Sequence, residues 1–257
     1  MKPSERISAA ISAAPGKTAI VAFITAGYPS REKFREHLTQ IGNAADVVEI
    51  GVPFSDPMAD GMTIQRSSRE ALNQGFTLRW LLSELSAMKA AGQLPKAPLV
   101  LMSYLNPLMS HGFRQLAADC LNAGVCGFIV PDLPYDEGEE FRAALATHGV
   151  GVIQMVTPVT RPERMARLCA ASEGFVYAVT MTGTTGKNAS VPGEVSQYLD
   201  KVTAAAKLPV CAGFGIRSRE QVQQLQGHVA GVIVGSALVE VLERGEDPAV
   251  FLNSLRP

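Results

Sequence analysis

Eight short apolar segments, rich in Val, Ile, Leu and Ala, recur along the whole chain, and this repetition limits its possible folds more than any other feature. Each segment is continuously apolar and does not alternate with polar residues, which is typical of parallel strands covered on both faces. The repetition therefore predicts eight strands of one parallel sheet. They lie at residues 17–25, 46–51, 97–103, 126–131, 150–156, 174–179, 208–213 and 230–234.

Segments with helical character separate these strands, and several begin at Ser, Asp or Pro residues that suit a first helical turn. Eight strands followed by helices favour the α/β class and a single (β/α)8 TIM barrel over an open doubly wound sheet. No linker or charged block interrupts the series, so we expect one domain over residues 1–257. Segment 4–14, with Ile7 and Ile11 four residues apart, predicts an extra N-terminal helix at the bottom of the barrel. The clearest of the other predicted helices are 30–44, 107–123, 136–148 and 218–226.

Charge and composition argue against several classes of protein. The formal net charge is −1 without a basic cluster, which gives no electrostatic support for nucleic-acid binding. No segment approaches the roughly 18 consecutive apolar residues of a membrane helix, and the N-terminus lacks the apolar core of a signal peptide. The cysteines have no metal-ligand spacing, so we expect buried free thiols, no metal site and a cytoplasmic location. They are Cys120, Cys126, Cys169 and Cys211.

Glu49 is the lone carboxylate of the second predicted strand and lies near its carboxyl end, where TIM barrels carry their catalytic groups. Side chains alternate along a strand, so Glu49 shares its direction with Val47. If Val48 and Ile50 pack against helices, Glu49 points into the barrel mouth, where desolvation raises its pKa and suits it to proton transfer. The alternative is a strand-end glutamate paired with a cation, although no Lys or Arg is near it in sequence.

Two further carboxylates, Asp56 and Asp60, follow in the next loop and stay ambiguous on the residues alone. Asp56 precedes Pro57 and Asp60 precedes Gly61, so each is also a good turn residue. Residue type and spacing do not decide between a turn and a catalytic role.

Glycines after the last two strands predict an anion site. Gly213 and Gly215 follow the seventh strand, and Gly235-Ser236 begins a helix after the eighth. Glycine lets a ligand approach backbone amides, and the free amides of a helix N-terminus favour an anion. Phosphate sites are common at these positions of a TIM barrel, so we expect a phosphate-bearing substrate. The loop 180–188, rich in Gly and Thr, could close over it, and no dinucleotide or ATP motif is present.

Seven motifs along the chain match one known family. They are AFITAGYP (22–29), VEIGVPFSDPMADGMTIQ (48–65), SYLNP (103–107), GFIVPDLP (127–134), the 182–186 loop, AGFGI (212–216) and GVIVGSA (231–237). On these motifs the sequence resembles the tryptophan synthase alpha chain family across essentially its whole length. The resemblance implies a lyase that cleaves indole-3-glycerol phosphate to indole and glyceraldehyde 3-phosphate in tryptophan biosynthesis.

The resemblance also implies roles for individual residues. Glu49 would be the general acid/base that protonates the indole ring at C3, and Asp60 would hold the indole N–H. Thr185 would lie on the closing loop near Asp60. Around the substrate would stand Phe23, Tyr177 and Phe214, and at its phosphate Gly186, Gly215, Gly235 and Ser236.

The family works in an alpha2beta2 complex with a beta chain that binds pyridoxal phosphate and receives the indole. The resemblance therefore implies no cofactor in this chain, and it assigns Asp56, Pro57 and Asn106 to the partner interface. A stand-alone indole-producing lyase and a non-catalytic subunit that only activates a beta chain remain alternatives. Retention of both Glu49 and Asp60 disfavours the second, and the Glu49 motif makes a sugar-phosphate isomerase remote.

Three positions depart from the usual family pattern. Thr184 stands where Val is common, Met62 where Pro is frequent, and Cys126 where an acidic residue is common. These departures spare the proposed catalytic carboxylates, but they bear on loop motion and on coupling to a partner.

Overall fold

The computed structural model describes residues 1–180, 193–213 and 215–257, in which parallel strands form a barrel surrounded by helices. The strands are β1 Ala19–Thr25, β2 Val47–Gly51, β3 Leu99–Met102, β4 Val125–Ile129, β5 Gly151–Val152, β6 Gln154–Val156, β7 Val176–Val179, β8 Val210–Gly213 and β9 Gly231–Val234. The α-helices are α1 Pro3–Ser12, α2 Phe34–Ala44, α3 Met62–Asn73, α4 Leu78–Ala90, α5 Leu105–His111, α6 Phe113–Ala123, α7 Glu139–Ala146, α8 Pro162–Ala171, α9 Gly193–Ala205, α10 Arg219–Leu225, α11 Ser236–Glu243 and α12 Pro248–Leu255.

The sheet closes on itself, which excludes the open doubly wound alternative. Its strands follow the order β5-β4-β3-β2-β1-β9-β8-β7-β6, and the two strands at the ends of this order are successive pieces of one chain segment. Only Ile153 separates them, and its N–H donates to the carbonyl oxygen of Phe128 at 2.8 Å. The strands therefore occupy the eight positions that the sequence predicts, and the TIM barrel is confirmed.

Several helix boundaries differ from the predicted ones for reasons of backbone conformation. The predicted helix 107–123 is two helices, α5 and α6, because Gly112 between them has φ +88°, which no helix accommodates. The predicted helix 136–148 begins as a 3-10 turn, Tyr135–Glu137, and the α-helix starts only at Glu139. The predicted helix 30–44 starts at Phe34, after a turn.

Two apolar clusters divide the core according to the direction of the strand side chains. The cluster between strands and helices contains Val48 and Ile50, both fully buried. The cluster inside the barrel contains Val21 and Val47. Because Glu49 alternates with Val48 and Ile50, its side chain points into the barrel, as its position in the strand predicts.

Helix α1 covers the amino end of the barrel. Its Ile7 and Ile11 are buried in the cluster inside the barrel. Ser8 Oγ donates to the carbonyl oxygen of Gly174, just before β7, at 2.6 Å, and the Ser4 N–H donates to Gly149 O at 3.1 Å. The expected extra N-terminal helix is therefore present, and it leaves the carboxyl ends of the strands as the open face.

Within the described ranges, no helix combines the length and the apolar character that crossing a membrane requires. Cys120, Cys126, Cys169 and Cys211 are all buried free thiols.

Candidate active site

Glu49 lies near the carboxyl end of β2 with almost no contact with solvent. It is 1% exposed, and its Oε2 has no hydrogen-bond partner in the described part of the chain. No ion pair of the described residues includes it. Burial, and to a lesser extent the charge of Asp60, raises the pKa of Glu49 from 4.5 to about 8. At pH 7 this side chain is therefore mostly a neutral carboxylic acid with a proton to give.

Asp60 lies in the loop after β2, and the loop itself holds it in place. Its N–H donates to Pro57 O at 3.2 Å, and its carbonyl oxygen accepts from Gln65 Nε2 at 2.8 Å. Burial raises the pKa of Asp60 from 3.8 to about 6, while a hydrogen bond from the Tyr104 hydroxyl opposes that increase. Asp60 is thus mostly ionised at pH 7, when Glu49 is mostly protonated.

The two carboxyl groups line one cavity of about 240 Å³ at the carboxyl ends of the strands. This volume is slightly below the range of about 300–1,000 Å³ that is usual for pockets that bind small ligands. Its walls are mainly apolar, which explains the desolvation of both acids. The lining residues are Phe23, Glu49, Ala59, Asp60, Gly61, Ile64, Met102, Met155, Tyr177, Val179, Gly213, Gly215, Ile233, Gly235 and Ser236.

Two glycines make room for the aromatic walls of the cavity. A Cβ at Gly51 would lie 2.4 Å from Phe23 Cζ, and a Cβ at Gly213 would lie 2.6 Å from Tyr177 Oη. Both distances are far below van der Waals contact, so any side chain there would push a ring out of place. Burial, followed by the charge of Glu49, raises the pKa of Tyr177 well above 10, and its phenol stays protonated.

The segments after β8 and β9 offer backbone amides to the same cavity. Gly235 is the N-cap of α11, and Ser236 is the first residue of that helix. The first amides of a helix have no partner within the helix and attract an anion. Gly215, which follows β8 and also lines the cavity, has φ +68°, a conformation that other residues rarely adopt. One cavity therefore combines two acids, from β2 and the loop after it, with backbone amides from the segments after β8 and β9.

The remaining predicted residues lie elsewhere. Asp56 and Asn106 are exposed, Pro57 is half-buried, and none of the three lines the cavity. Thr185, Gly186 and Phe214, together with the expected closing loop, lie outside the described residues. Across the described ranges no group of three or more His, Cys, Asp or Glu side chains could hold a metal ion. A larger groove of about 590 Å³ between the segments after β4 and β6 contains none of the predicted site residues.

Tyr104 contacts Asp60 but is not among the site residues that the sequence analysis predicts, where it occurs only within the motif SYLNP. It lies just beyond β3 as the N-cap of α5 and is 6% exposed. Its hydroxyl accepts the N–H of Ala59 at 2.8 Å and donates to Asp60. Its ring stacks on Phe54, with 5.1 Å between centroids. The only sequence signal was its place in SYLNP directly after a strand, and its partners became visible only in three dimensions.

The Tyr104→Phe variant is expected to raise the pKa of Asp60 by about one unit, because a hydrogen bond to a charged group contributes about 1.5 kcal/mol. The pKa of Asp60 can be measured by NMR titration of its side-chain carbon. Phe54→Leu is the control, since it removes the stacked ring and keeps the hydroxyl, and it should leave that pKa in place. An unchanged or lower pKa of Asp60 in Tyr104→Phe would show that the hydroxyl does not stabilise the carboxylate.

Comparison with known proteins shows which family the chain belongs to. A family model described as "Tryptophan synthase alpha chain" matches residues 10–255. The tryptophan synthase alpha chain of Nitratidesulfovibrio vulgaris (strain DP4) is 43% identical over 242 residues, which cover 94% of this chain and 93% of that protein. The tryptophan synthase alpha chain of Bacillus cereus (strain ATCC 10987 / NRS 248) is 42% identical over 240 residues, 93% of this chain and 91% of that protein.

Solved structures with the same fold agree with the sequence comparison. The tryptophan synthase subunit alpha of Legionella pneumophila str. Paris matches with a TM-score of 0.87 and 31% identity, covering 100% of this chain and 97% of that one. A chain of the tryptophan synthase complex of Pyrococcus furiosus matches with a TM-score of 0.82 and 32% identity, covering 92% of this chain and 97% of that one.

Proposed function

This chain belongs to the tryptophan synthase alpha chain family, and we propose that its cavity cleaves indole-3-glycerol phosphate to indole and glyceraldehyde 3-phosphate. The pair of carboxyl groups carries this proposal. Glu49, with a pKa of about 8, holds a proton at pH 7, while Asp60, with a pKa of about 6, holds a negative charge. Cleavage of the bond to an indole ring needs both, a proton for the ring carbon and a carboxylate for the ring nitrogen.

In the proposed reaction Glu49 protonates C3 of the indole, and the ring nitrogen becomes positively charged. Asp60 accepts the hydrogen bond of that N–H and stabilises the charge. Glu49, now a carboxylate, takes the proton of the side-chain hydroxyl next to the scissile bond. The C–C bond then breaks, its electron pair neutralises the ring, and the hydroxyl carbon becomes the aldehyde of glyceraldehyde 3-phosphate. The proton that Glu49 gave stays on C3 of the indole.

The other lining residues would orient the substrate along the cavity. Phe23 and Tyr177 offer faces to a planar ring. Gly215, Gly235 and Ser236 offer backbone amides to the phosphate. We assign the same role to the undescribed Gly186, and we expect Phe214 and Thr185 to complete the wall beside the indole.

We further propose that the chain acts in an alpha2beta2 complex with a beta chain, docked at the open face of its barrel. Apolar side chains are exposed there: Met58 (89%) and Met62 (84%) follow β2, Met109 (59%) follows β3, and Val159 (76%) follows β6. Exposed apolar clusters mark interaction surfaces. The interface residues Asp56, Pro57 and Asn106 would lie in the same segments.

We assign the pyridoxal phosphate of the complex to the beta chain. A pyridoxal phosphate site uses a lysine for its Schiff base, and no lysine occurs among the described residues that line this cavity. We also propose that residues 1–257 form one domain, since all the strands belong to one sheet, and that the protein works in the cytoplasm. Four buried thiols without a disulfide suit that reducing compartment.

Indole release from indole-3-glycerol phosphate, measured with and without a beta chain, tests the proposed function. We expect slow release by this chain alone and an acceleration of about tenfold or more in the complex, the size of a typical coupling between sites. High turnover without a beta chain would instead identify a stand-alone lyase. No indole in either reaction would identify a non-catalytic activating subunit.

A further inference from the structure

A bidentate ion pair behind the cavity wall joins the loop after β8 to helix α11. Arg217 Nη1 lies 2.7 Å from Glu240 Oε2, and Arg217 Nη2 lies 2.9 Å from Glu240 Oε1. Both side chains are a little over one quarter exposed, and neither lines the cavity. Fork-to-fork pairs of this kind fix geometry as well as contributing energy. The pair therefore clamps two elements of the barrel rim in one relative position.

Those two elements carry the proposed phosphate site. Arg217 lies two residues after Gly215, and Glu240 is on the helix that begins with Ser236. The backbone of Arg217 is held as well, because its N–H donates to Gln221 Oε1 at 2.7 Å. Ile216, in the middle of the loop, is 1% exposed. The loop thus has a buried anchor and two polar ones, and the pair with Glu240 is the anchor that reaches α11.

Glu240 also contacts the helix next to Asp60. Thr63 Oγ1 donates to Glu240 Oε1 at 3.5 Å, a long contact, and Thr63 is the second residue of α3. Helix α3 begins at Met62, two residues after Asp60. One carboxylate therefore contacts the loop of Gly215, the helix of Ser236 and the helix that follows Asp60.

We infer that Arg217 and Glu240 are positioning residues, which hold the two parts of the phosphate-binding backbone, the loop of Gly215 and the start of α11, in a set position relative to each other. This inference rests on the proposed function, because it takes Gly215 and Ser236 as the phosphate site. Glu240 neutralises Arg217, so the arginine serves as an anchor here and not as a phosphate ligand. A phosphate ligand and an anchor respond differently to loss of the partner carboxylate, and this difference can be measured.

Arg217→Gln and Glu240→Gln are the two test variants, with kcat and KM measured for indole release. Both are expected to raise KM for indole-3-glycerol phosphate about fivefold and to change kcat less than twofold, because the phosphate is held equally in the ground and transition states. The exchanged pair, Arg217→Glu with Glu240→Arg, is expected to recover most of the KM. The inhibition constant of glyceraldehyde 3-phosphate should rise with KM, whereas that of indole should not change.

Arg66→Gln is the matched control. Arg66 on α3 makes a similar bidentate pair with Glu243 on α11, at 2.8 Å for both bonds, but that pair does not contact the loop of Gly215. The Arg66→Gln variant should therefore leave KM for indole-3-glycerol phosphate unchanged. An equal increase of KM in this control would overturn the inference, since any loosening of α11 would then suffice.

Two other results would also overturn the inference. If KM is unchanged in both test variants, the pair does not position the phosphate site. If Glu240→Gln binds the phosphate-bearing ligand more tightly than the wild type does, while Arg217→Gln binds it more weakly, Arg217 is a phosphate ligand. Calorimetric titration with glyceraldehyde 3-phosphate gives the same comparison without turnover, so a wild type that binds this compound but makes no indole would overturn the proposed reaction alone. Failure of the wild type to bind it would overturn both.

Discussion

Replacing Glu49 with Gln is expected to lower kcat for indole formation about 10³-fold, within the range that a general acid/base contributes. Glutamine has nearly the shape of the protonated acid but has no proton to transfer to the indole ring. KM should change little, because the neutral amide fits the same apolar surroundings. Steady-state kinetics of indole release near pH 7 measure both quantities. Activity close to that of the wild type would sink the assignment of Glu49.

The same variant is expected to be more stable than the wild type, which separates loss of chemistry from loss of folding. The pKa of Glu49 is about 8 in the folded chain, whereas it is 4.5 when the side chain is exposed to water, as in the unfolded chain. Between these values the unfolded chain releases a proton that the folded chain retains, so the free energy of unfolding falls as pH rises from about 4.5 to about 8. At pH 7 this cost is on the order of 3 kcal/mol, and Glu49→Gln removes it. Thermal melts at pH 5 and pH 8 should show the gain chiefly at pH 8.

Replacing Asp60 with Asn is expected to lower kcat about 10²- to 10³-fold, as removal of one electrostatic stabiliser of a charged transition state typically does. In the wild type, kcat/KM should fall below about pH 6 as Asp60 is protonated, and above about pH 8 as Glu49 is ionised. The variant should lose the acidic decline. Its alkaline decline should move to lower pH, because the charge that helps to raise the pKa of Glu49 is gone.

Asp56→Asn is the matched control for that experiment. Asp56 lies in the same loop, is exposed and does not line the cavity. Measured without a beta chain, it should keep both kcat and the pH profile. If Asp60→Asn behaved as this control does, Asp60 would have no part in stabilising the ring charge.

The sequence predicted the architecture and the direction of Glu49 because both depend on local periodicity. Eight apolar segments suffice for the strand positions of the barrel, and alternation along Val47–Gly51 suffices to turn one glutamate inward. The break at Ile153 and the division of a helix at Gly112 were not predicted, since each depends on the conformation of a single residue.

Asp60 is a residue whose place in the site the local sequence pattern does not predict. Nothing in the loop distinguished it from Asp56, because the difference between them comes from burial in the cavity and from a hydrogen bond with Tyr104, 44 positions further along the chain. Gly213 is a similar case. The sequence suggested close approach of a ligand, but the immediate reason for glycine is the Tyr177 hydroxyl, 2.6 Å from where a Cβ would stand. Contacts across the barrel mouth decide both, and they follow no short-range rule.

Closure of the sheet by its first and last strands has a consequence for synthesis of the protein. Ala19 in β1 pairs with Gly231 in β9, so the barrel is incomplete until the residues of β9 have left the ribosome. Until then β1 has an unpaired edge of N–H and C=O groups, a template for pairing with other nascent chains. Such long-range pairing is slow. The β1 edge is therefore open to such pairing throughout the synthesis of the more than 200 residues between β1 and β9, although the finished barrel leaves no edge at that strand.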